Sequence, residues 1–559
     1  MILGIDVGGT HTDAVLIEHV KVIKKSKVLT NDKNLLASLL AVTNELIDDA
    51  NISQLEKVVL STTISTNAIV QNKVDRVGLM LVSGPGLSPA QLGVNTEDAF
   101  FLSGYANHRG IEIFPIDPGE VSRIGEHFRS TGIGHVGIVG KFSTRNPGQE
   151  IRIAELIRAH VRHFSMGHCM SGHLNFPRRI ATTCLNEAVW SRYQRFVREV
   201  LRFVRERGID VPIYILKADG GTLDIRQSVE FPVQTILSGP AASIMGIASM
   251  TRCDTDAIAL DIGGTTTDIS VFADGVPLLE AFGVTIEGHK TLIRGLRTKS
   301  IGVGGDSAVR FREGRLSVGP DREGYAAAFG GPLPTPTDAM ILLGMTRIGD
   351  PALAAAALFP IAEAMHCTIR EAAAAIFRET CLRIASHARQ VVEEINNKPV
   401  YTIHELLEGK RLRPKRLYVV GGPAEPMAPE LGRLLGCEVL IPLHAEVANA
   451  IGAALARTTA ELTLLADTER KIMTIAEEGL QIAIPNRFTR EDAIRIASEK
   501  LREKALRMGA VDEELEIEVV EAQEFNMVRE YYTTGKNIRV KVQIKPGPFS
   551  GHKLKDATC

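Results

Sequence analysis

The sequence predicts an α/β protein built from two copies of one unit, with a smaller α/β unit at its C-terminal end. Three observations carry this expectation. The octapeptide Asp-(Val/Ile)-Gly-Gly-Thr-x-Thr-Asp occurs twice, as DVGGTHTD over residues 6–13 and as DIGGTTTD over residues 261–268. Each copy follows an apolar run and precedes another (MILGI and AVLI; AIAL and ISVF), the pattern of strand, tight turn, strand. Between and after the copies, short apolar runs alternate with helix-length stretches, which argues for largely parallel sheet neighbours. The expected boundaries are 1–250, 251–458 and 459–559.

The repeated segment has a chemical reading. Paired glycines let the backbone approach an anion, so that amide N–H groups point at phosphate oxygens. Gly8, Gly9, Thr10 and Thr12 would do this in the first copy, and Gly263, Gly264, Thr265 and Thr267 in the second. The leading Asp6 and Asp261 can hold a hydrated Mg²⁺ that neutralises phosphate charge. Turn geometry alone would explain one Gly-rich hairpin. It does not explain why six of eight residues recur in one register. The duplication implies one nucleotide gripped from both sides.

Taken in order, residues 1 to about 30 read as a strand meander, followed by a helix from about Asn34 to Asp49. KVVLSTT is a buried strand running into the polar segment STTISTNA, Ser61 to Ala68. Strand RVGLMLV and a Gly/Pro loop follow, then helix, strand HVGIVGKF and helix from about Asn146 to His163. A long helix spans about Thr182 to Arg207, and strand PIYILKADGG comes next. Residues 232–250 read as a loop entering a helix lined with small side chains. After the second hairpin come a Gly-rich loop at Gly302 to Ser307, helices within 351–396 and a basic linker. RLYVVGGPAEPMAPELGRLLG then reads as strand, Gly421–Gly422 turn, helix, and VANAIGAALA as a helix that allows close approach. The last unit ends in an antiparallel hairpin at Lys545.

Composition narrows the class. Among 559 residues, 64 are basic and 66 acidic, so no overall field draws in nucleic acid or an anionic membrane. No apolar run reaches the roughly 18 residues of a spanning helix; the Ala-rich stretch Ala352 to Ala364 is interrupted by Pro360 and Glu363. No signal-peptide pattern is visible at the N-terminus. Seven scattered cysteines with no CxxC pair suit a reducing cytoplasm.

Strand–GGT–strand twice, then strand–GGP–helix, resembles the actin/hexokinase/Hsp70 ATPase superfamily. That resemblance implies duplicated ribonuclease-H-like (actin-like) lobes with a nucleotide cleft between them, and places Gly421 and Gly422 against adenosine. Other motifs narrow it. STTISTNA, TILSGPAASIMG (Thr235 to Gly246), LDIGGTTTDIS, GVGGDS and LPTPTDAMILLG are similar, in the same order, to segments of the hydantoinase/5-oxoprolinase A-subunit family. TTGKNIRVK resembles the compact C-terminal part of shorter members. The resemblance implies an ATP- and Mg²⁺-dependent enzyme that phosphorylates the carbonyl oxygen of a cyclic amide or imide such as hydantoin or 5-oxoproline. It further implies a partner subunit of the B type, and a homo-oligomer is also compatible. Carried over by position, Asp6 and Asp261 would orient Mg²⁺ or a water. Gly304 and Gly305 would line the phosphate cleft. Thr62, Thr63, Thr66 and Asn67 would polarise the substrate amide, with Thr63 and Asn67 in catalytic places. The competing reading of this last group is a helix cap.

Several positions depart from the family pattern. Ser61 stands where a His is expected, Asp219 lies in place of the usual Ser-x-Gly-Gly, Asp306 interrupts the glycine loop, EGYAAAFGG replaces a Pro-Gly-Pro segment, and Met427 takes another His place. Most of these are expected near the cleft. Asp219 or Asp306 could then act as a base, so a small-molecule kinase is one alternative function and an ATPase switch acting on a partner enzyme is another. A last constellation, His163, His168, Cys169 and His173, has the residue types of a soft-metal site without a recognised spacing.

Overall fold

Both copies of the octapeptide are β-hairpins in equivalent places of two sheets. The computed structural model describes residues 1–9, 11–19, 21–31, 34–47, 52–87, 92, 97–397, 411–512 and 515–548; Thr10, Asp49, Cys559 and most of the basic linker lie outside them. In the first lobe, Ile2–Val7 pairs antiparallel with His11–Glu18, which pairs with Lys21–Leu29. On its other side Ile2–Val7 runs parallel to Lys57–Thr62, and that strand runs parallel to Ile213–Leu216. The second lobe repeats this order. Ala257–Ile262 pairs antiparallel with Thr267–Ala273, which pairs with Val276–Pro277 and Thr298–Ile301. Ala257–Ile262 also runs parallel to Arg416–Val420, itself parallel to Glu438–Leu440. The registers coincide as well: Asp6 lies opposite Asp13, and Asp261 opposite Asp268. The two lobes are thus duplicated ribonuclease-H-like units.

Alternation along the strands decides which faces meet. Leu3, Ile5, Val7, Ala14 and Leu16 point outward into a core shared with helices Leu35–Asn44 and Phe176–Glu206. Ile258, Leu260, Ile262, Ile269 and Val271 do the same beneath helices Ile369–Asn396 and Ala424–Leu435. The remaining strand positions, Ile2, Val15, Val59, Ala257, Ala259, Phe272, Tyr418 and Val420, face inward into one core that spans both lobes. Helices Ser238–Met250 and Ala448–Leu455 fill that core. Both are rich in Gly and Ala because their backbones touch. A Cβ on Gly452 would lie 1.9 Å from the carbonyl oxygen of Ala242, and one on Gly246 would lie 2.2 Å from that of Ala448.

Two further parts complete the chain. A parallel sheet, in the order His163–Met166, His135–Gly140, Val77–Val82, Ala99–Phe101, is inserted between the fourth and fifth strands of the first lobe. It is a body of its own, with cores distinct from that lobe's, which the strand-and-helix pattern of the sequence does not reveal. At the C-terminal end, Leu480–Ala483, Ile472–Ile475, Glu461–Asp467, Tyr532–Ile544 and Ile517–Arg529 form an antiparallel sheet under helix Arg490–Arg507. Ala493, Ala497, Leu501 and Ala505 make that helix's buried stripe.

Some boundaries differ from expectation. The long helix begins at Phe176, because the Asn175 side chain caps it and Pro177 suits its first turn. The helix expected up to His163 stops at Ile157, and His163 opens a strand. Helix Pro351–Ala364 continues through Pro360 and turns by 89° into Ile369–Asn396. No single helix among the described residues is long and apolar enough to cross a membrane.

The helix contact yields a test. Gly452→Ala should cost at least about 2 kcal/mol by overpacking, measured by urea unfolding. A variant as stable as the parent would show that the two helices do not set the lobe separation.

Candidate active site between the lobes

The inward faces of the two sheets carry four carboxylates, Asp6 and Asp13 from one lobe and Asp261 and Asp268 from the other, each opposite its partner across a hairpin. The turns are alike: Gly8 N–H donates to the His11 carbonyl at 3.0 Å, and Gly263 N–H to the Thr266 carbonyl at 2.9 Å. Thr12 and Thr267 are fully buried. Their hydroxyls bond Thr30 Oγ1 at 3.0 Å and the Val303 carbonyl at 2.6 Å, so they brace the hairpins from behind. Thr265 is half-buried at the second turn.

A polar chain links the two leading aspartates across the lobe boundary. Ser61 Oγ donates to Asp6 Oδ1. Asn449 Nδ2 donates to the other oxygen, Asp6 Oδ2, at 3.3 Å. The Asn449 carbonyl lies 2.7 Å from Ser243 Oγ, which also reaches Asp261 Oδ2. A serine hydroxyl has one proton, so it serves Asn449 or Asp261 at any moment. Ser243 and Asn449 come from the two touching helices. The motifs SGPAASIMG and VANAIG contain both residues, but helix packing is the only role their sequence suggests.

The loop Gly302 to Ser307 is zipped onto the second turn. Gly305 N–H donates to the Gly263 carbonyl at 2.9 Å and Asp306 N–H to the Gly264 carbonyl at 2.6 Å, while Gly304 N–H bonds Ser307 Oγ at 2.8 Å. Gly421 stands on the opposite flank at φ +98°, where an added Cβ would lie 2.3 Å from the Ile262 carbonyl oxygen. The adjacent Gly422 has open space where a Cβ would go. The second hairpin, Gly304–Gly305 and Gly421–Gly422 are therefore brought together as the sequence anticipates.

STTISTNA divides by role. Strand Lys57–Thr62 lies beside Ile2–Val7, and helix Ile64–Val70 follows. The Thr62 carbonyl accepts from Ser238 Oγ at 2.8 Å, Thr66 Oγ1 accepts from Leu237 N–H at 2.8 Å, and Ser65 Oγ lies 2.9 Å from Thr235 Oγ1. These contacts anchor the start of the central helix. Thr63 occupies the cap position without a side-chain cap bond. Instead Asn67 Nδ2 donates to Thr63 Oγ1 at 3.1 Å, and that nitrogen faces Gly9, 3.4 Å from where its Cβ would stand. Thr63 and Asn67 thus flank the first turn.

Cations at this place were not anticipated. Lys27 Nζ binds Asp13 Oδ2 at 3.0 Å. Arg322 reaches Thr265 Oγ1 at 3.3 Å and Asp306 Oδ2 at 3.0 Å. Arg322 stands 57 residues beyond Thr265 in a loop with no motif, which is why pattern reading passed over it.

Two departures prove to be elsewhere. Met427 is fully buried in the outer core of the second lobe, because its helix turns that face to Ile262 and Val419 rather than to the cleft. Asp219 is buried among Lys217 (3.5 Å), Arg294 (3.4 Å), Thr459 Oγ1 (2.8 Å) and Gly221 N–H (3.0 Å), beside the C-terminal unit. Burial alone would raise its pKa, but Lys217 and Arg294 outweigh that and hold the carboxyl below its ordinary value. A group so placed is not a base at the hairpins. Nor do His163, His168, Cys169 and His173 converge. His168 pairs with the buried Glu150 at 2.5 Å, His163 with Glu187 at 2.8 Å, and His173 lies 3.4 Å from Lys541.

The carboxylates of the cleft fit a divalent cation. Burial pushes Asp13 up to about 6 against the pull of Lys27, and pushes Asp268 up to about 7 with help from the charge on Asp261. Asp6 and Asp261 are raised too, again mainly by burial and against their Ser and Asn donors. Asp13 Oδ1 is buried without a hydrogen-bond partner among the described residues. Hard oxygen donors gathered at a cost to their ionised forms suit Mg²⁺.

The hydantoinase/oxoprolinase family matches residues 179–462, and the hydantoinase/oxoprolinase N-terminal region matches residues 2–161. The chain belongs to the hydantoinase/oxoprolinase family. Caprolactamase subunit alpha from Pseudomonas jessenii is 25% identical over 449 residues, which is 71% of this chain but 63% of that subunit, so the match spans less than two thirds of the relative. The 5-oxoprolinase of Saccharomyces cerevisiae is 35% identical over 144 residues, covering 24% of this chain and 11% of that one. The crystal structure of ATP-dependent caprolactamase from Pseudomonas jessenii superposes with a TM-score of 0.69 at 20% identity, over 97% of this chain and 87% of that one. Nucleotide-free acetone carboxylase does so with a TM-score of 0.74 at 16% identity, over 99% and 88%. At such identities these structures establish the fold.

The raised carboxylates predict how stability depends on pH. In each, the native state holds its proton more tightly than the unfolded chain does. The stabilisation is therefore complete below about pH 4, the ordinary aspartate value, and is lost as pH rises through about 6 for Asp13 and about 7 for Asp268. Asp268→Asn should raise the melting temperature most at pH 8, with the gain shrinking below pH 7 and vanishing near pH 4. Added Mg²⁺ should narrow the gain at pH 8. A variant that melts earlier than the parent at pH 8 would contradict the buried-charge account.

Proposed function

We propose that this chain is the ATP-using subunit of a ring-opening hydrolase, and that it transfers phosphate from ATP to the carbonyl oxygen of a cyclic amide or imide. The observation that carries this is the pairing of two Asp-Gly-Gly-Thr hairpins. They are equivalent in topology and register, and they face each other with Asp6 and Asp261 joined through Asn449 and Ser243. An unstrained lactam is a poor electrophile. Phosphorylating its oxygen creates a leaving group and couples ring opening to ATP, a task that demands positioning and charge stabilisation more than covalent help.

The residues divide accordingly. The turn amides at Gly8–Gly9 and Gly263–Gly264, with Thr265 and Arg322, would hold phosphate oxygens. Gly421 and Gly422 would border the adenosine. Asp6 and Asp261 would hold Mg²⁺, which when bound neutralises phosphate charge. Thr63 and Asn67, beside Gly9, would donate to the amide oxygen and polarise it. The kinase reading is weaker, because Asp219 is locked in its own ion cluster and Asp306 is paired with Arg322. Several similar proteins are named as subunits, among them caprolactamase subunit alpha and the beta subunit of acetone carboxylase from Xanthobacter autotrophicus. In keeping with them, we place this chain with a partner of the hydantoinase B type, acting on a substrate of the lactam, hydantoin or 5-oxoproline class in the cytoplasm.

Release of ADP, measured across lactams, hydantoins, 5-oxoproline, polyols and ketones with bicarbonate, with and without a B-type partner, tests the reading. A cyclic amide should stimulate most. Asp261→Ala should abolish turnover while the fold survives. Asn67→Ala should keep ATP binding and lower substrate-stimulated turnover by about 10²-fold, the scale for one oriented donor. A helix-cap role for this segment predicts about 1 kcal/mol less stability and near-normal turnover instead. Absence of ATP binding in calorimetry would sink the proposal, and stimulation by polyols or by the partner alone would move it to a kinase or a switch.

Asn449→Ala, which cuts the link between the lobes, should weaken Mg·ATP binding more than it lowers the melting temperature. An equal loss of both would make Asn449 a packing residue.

A further inference from the structure

We infer a transition-metal site in the inserted sheet, separate from the cleft, made by His135, His163 and Glu187. The two histidines open adjacent parallel strands, His135–Gly140 and His163–Met166, and lie directly opposite in register, so their rings share one face. The long helix Phe176–Glu206 crosses that face and lowers Glu187 between them. Glu187 Oε2 lies 3.2 Å from His135 Nδ1, and Oε1 lies 2.8 Å from His163 Nδ1. The three ligand atoms sit within 4.8 Å of one another. Donors sharing one zinc-like ion at about 2.1 Å stand about 3–4 Å apart, so a small contraction suffices.

Two features favour an ion over a plain hydrogen-bonded trio. The Glu187 side chain is fully buried and also accepts from Ser165 Oγ, yet among the described residues its ion-pair partners are only these two imidazoles, and no Lys or Arg balances it. A buried carboxylate in that position gains most from a cation. The rear nitrogens of both rings also have oxygen neighbours. His135 Nε2 lies 3.0 Å from Ser191 Oγ and 3.9 Å from Asp75 Oδ2, an atom without a hydrogen-bond partner, and His163 Nε2 lies 3.9 Å from Glu230 Oε2. The Ser191 contact is within hydrogen-bond reach and suits a His135 ring with its proton on the far nitrogen, the arrangement of metal-binding imidazoles. Two nitrogens and one oxygen select zinc, cobalt or nickel over Mg²⁺.

The chain contains a single tryptophan, and its ring stacks on His163 at 4.1 Å. Intrinsic fluorescence at Trp190 therefore reports this site alone. The experiment titrates CoCl₂ into chelator-treated full-length protein held in excess Mg²⁺, which occupies oxygen-only sites. Saturable quenching at one Co²⁺ per chain is expected, reversed by Zn²⁺, with two imidazoles counted by X-ray absorption at the cobalt edge. His163→Gln and Glu187→Gln should each weaken binding by more than about 100-fold, beyond the 10–100-fold typical of losing an outer partner such as Ser191. His173→Gln should bind as the parent does. Fluorescence unmoved at millimolar Co²⁺, fewer than two imidazoles on the metal, or undiminished binding by His163→Gln would each overturn the site. The absorption measurement on the parent stands even if the substituted proteins fail to fold.

Discussion

Two helix backbones touch between the lobes, and the site depends on that contact. Ser238–Met250 leaves the first lobe and Ala448–Leu455 leaves the second, and they meet where glycines remove every intervening side chain. That contact sets the distance between the inner faces of both sheets. A larger residue at either glycine would push the lobes apart and with them the two hairpins. The same helices supply Ser243 and Asn449, so the polar link between Asp6 and Asp261 is positioned by the packing that brings the sheets together.

Charge runs against packing here. Burying four carboxylates on facing surfaces is unfavourable, and Lys27 offsets only part of it. Hydrogen-bond donors on Asp6 and Asp261 favour ionisation without overcoming burial. A divalent ion held by Asp6 and Asp261, as proposed above, would relieve that cost by favouring the ionised carboxylates.

Much of the cleft between the lobes was legible in the sequence, because Gly-rich turns depend on local backbone geometry and local geometry leaves local motifs. The hairpins, Gly304–Gly305 and Gly421–Gly422 were all found that way. Ser243, Asn449 and Arg322 were not: Asn449 meets Ser243 across 206 residues and Asp6 across 443, and Arg322 lies 57 residues from Thr265 in a loop without a motif. The departures at Asp219 and Met427 misled for a related reason. Sequence position next to a motif is not spatial position next to its function, and a helix turns half of its residues away. The histidine group failed similarly: residues 163, 168 and 173 sit on a strand end, a short helix and a loop, and face three different ways.

The inserted sheet enters the first lobe after the helix that bears Thr63 and Asn67 and returns through the long helix ahead of Ile213–Leu216. It adds no strand to the sheet that carries the first hairpin. Mutations that reshape the insertion can therefore shift Thr63 and Asn67 while leaving every strand register around Asp6 and Asp261 as it was. On the proposed function, this arrangement would let the residues that meet the substrate change while the turns that hold phosphate stay as they are.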